Sequence, residues 1–236
     1  PADASVTLAN SRRTAPPPFT REQFERARGE VLSRGRWANA VLFLHRQGDR
    51  LWVVKDFRPR NFLLRNSAGR LLVRREVRAL QRLAGVAGVP AGVFRLDAHA
   101  LAYHFVPGST LNQTDLGTRA VEFFLALERL MRQVHAVGGI LHLDVRNARN
   151  VLVSERGEPL LLDFQSHLST RWMPQRMRRW AEGFDLAGTY KHWARRSPET
   201  LDADRARVLA RMNRWRRLWP LRGYLGVRKS RPSRAR

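Results

Sequence analysis

The feature that most limits what this chain can fold into is a change of hydrophobic rhythm at Pro107-Gly108. Before that dipeptide the apolar residues come in short runs. Ala40-Val-Leu-Phe-Leu44 and Leu51-Trp-Val-Val-Lys55 are parted by Gln47-Gly48-Asp49, and residues 93–96 and 101–106 form two more. Runs of this length bounded by turn residues predict strands, the first pair a hairpin. Residues 72–83 break the pattern, with Val73, Val77, Leu80 and Leu83 on one face of an expected helix. After the dipeptide, residues 116–137 carry Val121, Phe124, Leu125, Leu127, Leu130, Met131 and Val134 at helical spacing and stop before Gly138-Gly139. Residues 151–153 and 160–162 flank Arg156-Gly157-Glu158-Pro159 and predict a small hairpin inside this helical half. A sheet with one helix, a break, then helices describes an α+β chain in two lobes.

The ends read differently. Residues 1–20 are expected to form a flexible tail, because Ala15-Pro16-Pro17-Pro18 continues neither a helix nor a ladder. Thr20-Arg-Glu-Gln23 is a capping-box sequence, with Phe24, Ala27 and Val31 following at helical spacing. The first lobe is assigned to 21–106, the second to 107–229, and 230–236 to a disordered basic end. Pro1 to Ser11 show no basic start followed by an apolar core. The expected location is therefore cytoplasmic, peripheral to the inner face of the membrane if the basic residues touch lipid.

Charge narrows the partners. Lys and Arg number 44 against 20 Asp and Glu, a formal charge of +24, and only Lys55, Lys191 and Lys229 are lysines. Such a surplus favours polyanionic surroundings: nucleic acid, an anionic membrane face or a phosphorylated substrate. With so few acids, each carboxylate among apolar neighbours is informative. Cysteine is absent, which excludes disulfides, thiol nucleophiles and cysteine-ligated metals. No apolar run reaches the roughly 18 residues of a membrane-spanning helix. Residues 211–236 mix Trp215, Leu218, Trp219, Leu221 and Tyr224 with arginines. That pattern fits a stripe packed on the lobe, a contact with an anionic membrane, or phosphate contacts to nucleic acid. Arg176, Arg178, Arg179, Arg195 and Arg196 add to the basic surface and favour an acidic or phosphorylated acceptor.

Four features with chemical content follow in order. Val53-Val54-Lys55 ends an apolar strand with a cation. Glu76 lies on the next helix. His142-Leu143-Asp144 precedes Asn150-Val151-Leu152-Val153, and Leu161-Leu162 leads into Asp163-Phe164. Phosphoryl transfer needs a cation on the nucleotide phosphates, which Lys55 supplies if Glu76 holds it by an ion pair. Asp163 and Asn150 are hard oxygen donors suited to Mg2+ or Mn2+. Asp144 suits the task of orienting an attacking hydroxyl and taking its proton.

Together these residues resemble the protein-kinase-like superfamily: strand lysine, helix glutamate, His-x-Asp loop with a downstream asparagine, and Asp-Phe motif. The resemblance spans residues 34–164 and, more loosely, 185–193. It implies a two-lobed protein-kinase-like fold, with an antiparallel sheet plus helix in the first lobe and a shortened helical second lobe. It implies an ATP-dependent phosphotransferase acting on a hydroxyl of a protein Ser/Thr or a lipopolysaccharide-type sugar. Lys55, Asp144 and Asn150 would be catalytic, and Asp163 with Asn150 would hold the metal. Lys55, Glu76, Gly35, Val41, Val53, Tyr103, His104, Val106 and Leu152 would bind the nucleotide, the adenine meeting the backbone of 104–106 with Tyr103 at its gate. His142 would support the loop.

The departures are as definite. Asn150 lies six residues after Asp144, one more than the family pattern, and Asn147 competes with it as metal ligand. Gln165 replaces the glycine after Asp-Phe, suggesting a less mobile segment. Ser33-Arg34-Gly35-Arg36-Trp37-Ala38-Asn39 has one glycine, so Arg34 or Arg36 is expected to help on the phosphates. No Ala-Pro-Glu motif follows, and the remaining chain is short. The nearest resemblance is therefore the small bacterial branch, RIO-like kinases and the lipopolysaccharide Kdo/heptose kinase family. Two rival readings are a non-catalytic kinase-like binding module and a charge-driven binder of nucleic acid or membrane.

Overall fold

In the computed structural model, residues 16–35 and 39–218 are described, with side chains through 216. Arg36, most of the 1–20 segment, Trp219, Leu221, Tyr224 and the 230–236 end lie outside them.

The first lobe begins with α1 (Arg21–Arg26). Thr20 and Gln23 close a reciprocal capping box, the Gln23 side chain accepting from the Thr20 amide at 2.7 Å. The helix stops there, and Val31 enters a strand instead of the third helical turn that its spacing suggested. The strands are β1 (Val31–Ser33), β2 (Val41–Gln47), β3 (Arg50–Asp56), β4 (Phe94–Arg95) and β5 (Ala100–His104). They form one antiparallel sheet in the order β1-β2-β3-β5-β4. Gly48 takes the left-handed conformation (φ +56°) that the two-residue turn between β2 and β3 requires. Between β3 and β4 run α2 (Phe62–Leu64), a wider π-type turn (Arg65–Gly69) and α3 (Arg70–Arg82). Asn61 starts this segment by accepting from the Leu64 amide at 2.8 Å.

The second lobe holds β6 (Gly108–Thr110), α4 (Ala120–Gln133), β7 (Ile140–Leu141), β8 (Val151–Ser154), β9 (Pro159–Leu161), β10 (Leu168–Ser169), α5 (Gln175–Arg196) and α6 (Ala203–Leu218). α4 ends in a π-type turn (Val134–Gly138), and Gly139 caps it in the left-handed region (φ +58°). β8 pairs with β6 and β9, and β7 with β10.

Two apolar layers flank the first sheet. On one side Val53, Leu101 and Tyr103 join Val73, Val77 and Leu80 of α3, then continue into Phe124, Leu127, Val151, Leu161 and Trp193 of the second lobe. On the other side Phe19 and Phe24 cover Val41, Phe43, Trp52, Val54, Ala100 and Ala102. Phe19, which the sequence suggested was in a loose tail, is 1% exposed. Side chains alternate along a strand, so β3 sends Val53 and Lys55 to the inner layer and Trp52 and Val54 to the outer one.

Candidate active site

Lys55 sits at the end of β3, 6% exposed. Its Nζ donates to Glu76 Oε1 and Oε2 at 2.8 and 2.6 Å, and to Asp163 Oδ1 at 2.9 Å. Sheet, α3 and the loop after β9 thus meet at one ammonium. Burial alone would discharge the lysine, but Asp163 and Glu76 more than offset it and hold its pKa above the ordinary value. Burial also pushes the Glu76 carboxyl upward, opposed by Lys55.

The loop after β7 brings Asp144 beside this pair. Asn150 Nδ2 donates to Asp144 Oδ2 at 2.8 Å and to its carbonyl at 3.2 Å. Burial raises the Asp144 pKa, Asn150 lowers it, and the nearby Asp163 adds to the rise. His142 supports the loop: its Nε2 bonds the Leu162 carbonyl at 2.8 Å, its Nδ1 accepts from the Asp144 amide at 3.3 Å, and its ring lies 4.6 Å from that of Phe164. Leu143 and Asp163 have φ of +67° and +66°, the only non-glycine residues with positive φ among those described. Left-handed backbone at such residues is strained and concentrates where a site demands it.

Asp185 of α5 holds this loop from behind. Its carboxylate accepts from the amides of His142 and Leu143 at 2.7 and 2.8 Å and lies 3.0 Å from His135 Nε2, while only 2% exposed. Sequence reasoning gave it no role. The available signal was an acid between Phe184 and Leu186 in a chain poor in acids. Arg75 was missed too; it follows none of the recognised spacings, yet donates to the Gln165 carbonyl at 3.2 Å and also to that of His167. The segment after Asp163 is therefore tied to α3. Gln165 itself donates to Asp163 Oδ2 at 3.2 Å.

The remaining expected residues separate. Val53 and Tyr103 lie in the inner layer, Tyr103 paired opposite Val53. Leu152 is half-buried on β8, between Thr110 and Leu160. The His104 and Phe105 amides donate to Ala91 and Leu51 carbonyls, and the His104 ring packs on Trp52 at 4.4 Å. Val106 follows them, half-buried. Val41 does not face the site. It packs with Phe24 and Phe43 in the outer layer: the run 40–44 is apolar on both faces, and half-buried Leu42, directly opposite Lys55, is the β2 residue on the inner side.

The β1–β2 loop is shaped by an arginine. Gly35 takes φ +59°, and a Cβ there would stand 2.6 Å from the Ala40 carbonyl. Arg60 donates to the Asn39 carbonyl at 2.6 Å and to that of Arg34, bridging the two sides of the loop.

No group of three or more His, Asp or Glu side chains suited to a metal is present among the described residues. Asp163 and Asn150 are nevertheless oxygen donors of the hard type. A site with one carboxylate and one amide fits Mg2+, which keeps several waters and takes the rest of its ligands from phosphates. Asn150 Oδ1 accepts from Asn147 Nδ2 at 3.3 Å, and both asparagines touch Asp144: Asn147 through its amide on the Asp144 carbonyl at 3.2 Å, Asn150 through Nδ2 on Asp144 Oδ2 at 2.8 Å.

No family model matches the chain, and no curated protein matches it in sequence. Solved structures do match in shape. The Rio2 kinase from Chaetomium thermophilum gives a TM-score of 0.55 at 16% identity, covering 84% of this chain and 76% of that one. The ADP/Mg2+-phosphoaspartate complex of that kinase gives 0.53 at 16% identity, covering 78% of this chain and 61% of the other. The chain thus spans about three-fifths of the length of that second structure. The likeness shows a protein-kinase-like fold.

Proposed function

We propose that this kinase-like chain is an ATP-dependent phosphotransferase that moves the γ-phosphoryl group to a hydroxyl of an anionic acceptor, within the RIO-like and lipopolysaccharide-kinase branch of the superfamily. The observation that carries this reading is Lys55 Nζ lying within 2.9 Å of both Glu76 and Asp163, with Asp144 and Asn150 alongside. ATP bound with Mg2+ supplies the transferable phosphoryl group and neutralises its charge. Lys55, steadied by Glu76, binds the α/β-phosphates. Asp163 and Asn150 hold the metal. Asp144, its pKa raised by burial, would orient the acceptor hydroxyl and take its proton as that oxygen bonds to the γ-phosphorus and the bond to the β,γ-bridging oxygen breaks, releasing ADP. Asp185, through the amides of His142 and Leu143, keeps Asp144 in place. Val53, Tyr103, Leu152 and the backbone of 104–106 would hold the nucleotide's base, and Gly35 and Arg34 its phosphates.

The acceptor is a protein Ser/Thr or a sugar of the lipopolysaccharide type. The sugar is favoured by the short connection between Asp163 and α5, which leaves little surface on which a peptide could lie, and by the basic residues of α5. The connection with ATP and Mg2+ is supported by the neighbour solved with ADP and Mg2+. The test is transfer and hydrolysis of labelled ATP by wild type, Asp144→Asn and Asp163→Asn. Asp163→Asn is expected to lose metal-dependent nucleotide binding. Asp144→Asn is expected to keep it and lose transfer by at least about 100-fold. Equal turnover by wild type and Asp144→Asn would leave a binding module in place of an enzyme.

A further inference from the structure

Most helices of this chain neutralise arginines with acids three or four residues away: Arg132 with Glu128, Arg178 with Glu182, Arg205 with Asp202, Arg207 with Asp204. α3 does not. Its one acid, Glu76, is turned inward to Lys55, and Arg70, Arg74, Arg78 and Arg82 recur every fourth position. All four are exposed, and none has a carboxylate partner among the described residues. At about 100° per residue they occupy one arc of about 120°, and they run for about 18 Å along the helix. Val73, Glu76, Val77 and Leu80 fill the opposite, buried side. Like charges four residues apart repel, so α3 carries this face at a cost to itself.

The same face is not purely cationic. Leu71 falls within the arginine arc, in its first turn, 58% exposed, and the segment leading into it presents Phe62 at 67% and Leu63 at 78%. Cations stand beside two of them: Arg65 lies 5.6 Å over the Phe62 ring, and exposed Arg70 directly precedes Leu71. A phosphate backbone gives two leucines nothing to bury against. A lipid surface offers phosphates to the guanidinium groups and acyl chains to the leucines and phenylalanine.

We propose that the outer face of α2 and α3 docks on an anionic phospholipid bilayer, with Arg70, Arg74, Arg78 and Arg82 on lipid phosphates and Phe62, Leu63 and Leu71 at the acyl boundary. The docked helix is the one that carries Glu76 to Lys55 and Arg75 to the segment after Asp163, so the contact bears directly on the site geometry. The proposal does not depend on the phosphotransfer reading, since it is tested by binding alone.

The experiment measures partition of the full chain onto mixed phosphatidylglycerol–phosphatidylcholine vesicles and onto pure phosphatidylcholine. Wild type is expected to bind only the former. Arg74→Gln/Arg78→Gln is expected to weaken binding about 25-fold, about fivefold for each arginine, while Arg74→Lys/Arg78→Lys keeps it. Phe62→Ser/Leu63→Ser is expected to make the remaining binding collapse at high salt. Arg129→Gln/Arg156→Gln removes the same charge from exposed positions elsewhere and is expected to leave partition near wild type. Thermal melting shows whether each variant is folded. Equal loss in the two arginine-to-glutamine pairs would mean diffuse attraction and overturn the proposal. So would single-stranded RNA displacing the protein from vesicles with Phe62→Ser/Leu63→Ser behaving as wild type, which would make the face a nucleic-acid surface.

Discussion

The expected meeting of Lys55, Glu76, Asp144, Asn150 and Asp163 rests on placements that the sequence marks: Lys55 near the end of β3, Glu76 on the buried face of α3, Asp144 and Asp163 after the short strands β7 and β9, and Asn150 just before β8. Asp185 was not marked, since two of its partners are backbone amides that leave no trace on residue choice and the third, His135, is 50 residues away in sequence. Removing it should be severe: Asp185→Ala strands two buried amides and is expected to cost about 2–5 kcal/mol. If it positions Asp144, Asp185→Asn should lower kcat at least tenfold with the KM for ATP little changed; a variant that loses both in proportion to unfolded fraction would mark a purely structural residue. Asp144 itself has an expected pH signature. Its raised pKa places the acid limb of kcat/KM above that of an ordinary aspartate, and this limb should vanish in Asp144→Asn. His192 supplies a stability signature. Burial lowers its pKa to about 4, and its Nε2 donates to the Val145 carbonyl at 3.0 Å. As pH falls below the ordinary histidine value, the unfolded chain gains a proton that the folded chain refuses, so stability drops. Between pH 7 and 5 wild type should lose about 2 kcal/mol more than His192→Gln, measured by denaturant unfolding; parallel losses would refute it.

At the scale of elements, the long periodic segments were the readable ones. α3, α4, the β2–β3 hairpin and the β8–β9 hairpin all stand where their apolar spacing put them. β7 and β10 are two residues each and carry no period to detect, though together they tie the catalytic-type loop to the segment after Asp163. Val41 shows a subtler failure: a run apolar on both faces does not say which residues look inward, and a shift of one residue exchanges the two. The packing of α5 on α4 centres on Trp193, which is 1% exposed, stacks 5.6 Å from Phe124 and donates to Thr200 Oγ1 at 2.8 Å. Trp193→Ala is expected to cost about 3–5 kcal/mol and lower the melting temperature by about 10 °C. A change of a degree or two would mean the helices are held elsewhere.

For the molecule as a whole, an α+β two-lobed plan was readable from the change in apolar rhythm, whereas the distribution of charge did not follow from composition. The +24 charge is partly cancelled locally on α4, α5 and α6 and left open on α3. Net self-repulsion of this size works against the compact state and is screened within about 10 Å at 0.1 M salt and about 3 Å at 1 M. Melting temperature should therefore rise with sodium chloride over that range, by about 2–4 °C for each kcal/mol of repulsion removed. A steady fall with added salt would show that the ion pairs outweigh the repulsion.

The layer that Phe19 and Phe24 lay over the outer side of the first sheet has a practical corollary. A shortened version of this chain trimmed back to Val31, as the run of prolines invites, would bare Phe43, Trp52 and Val54 to water. Two such molecules would find each other through those surfaces, and the resulting dimer would be an artefact of where the cut was made.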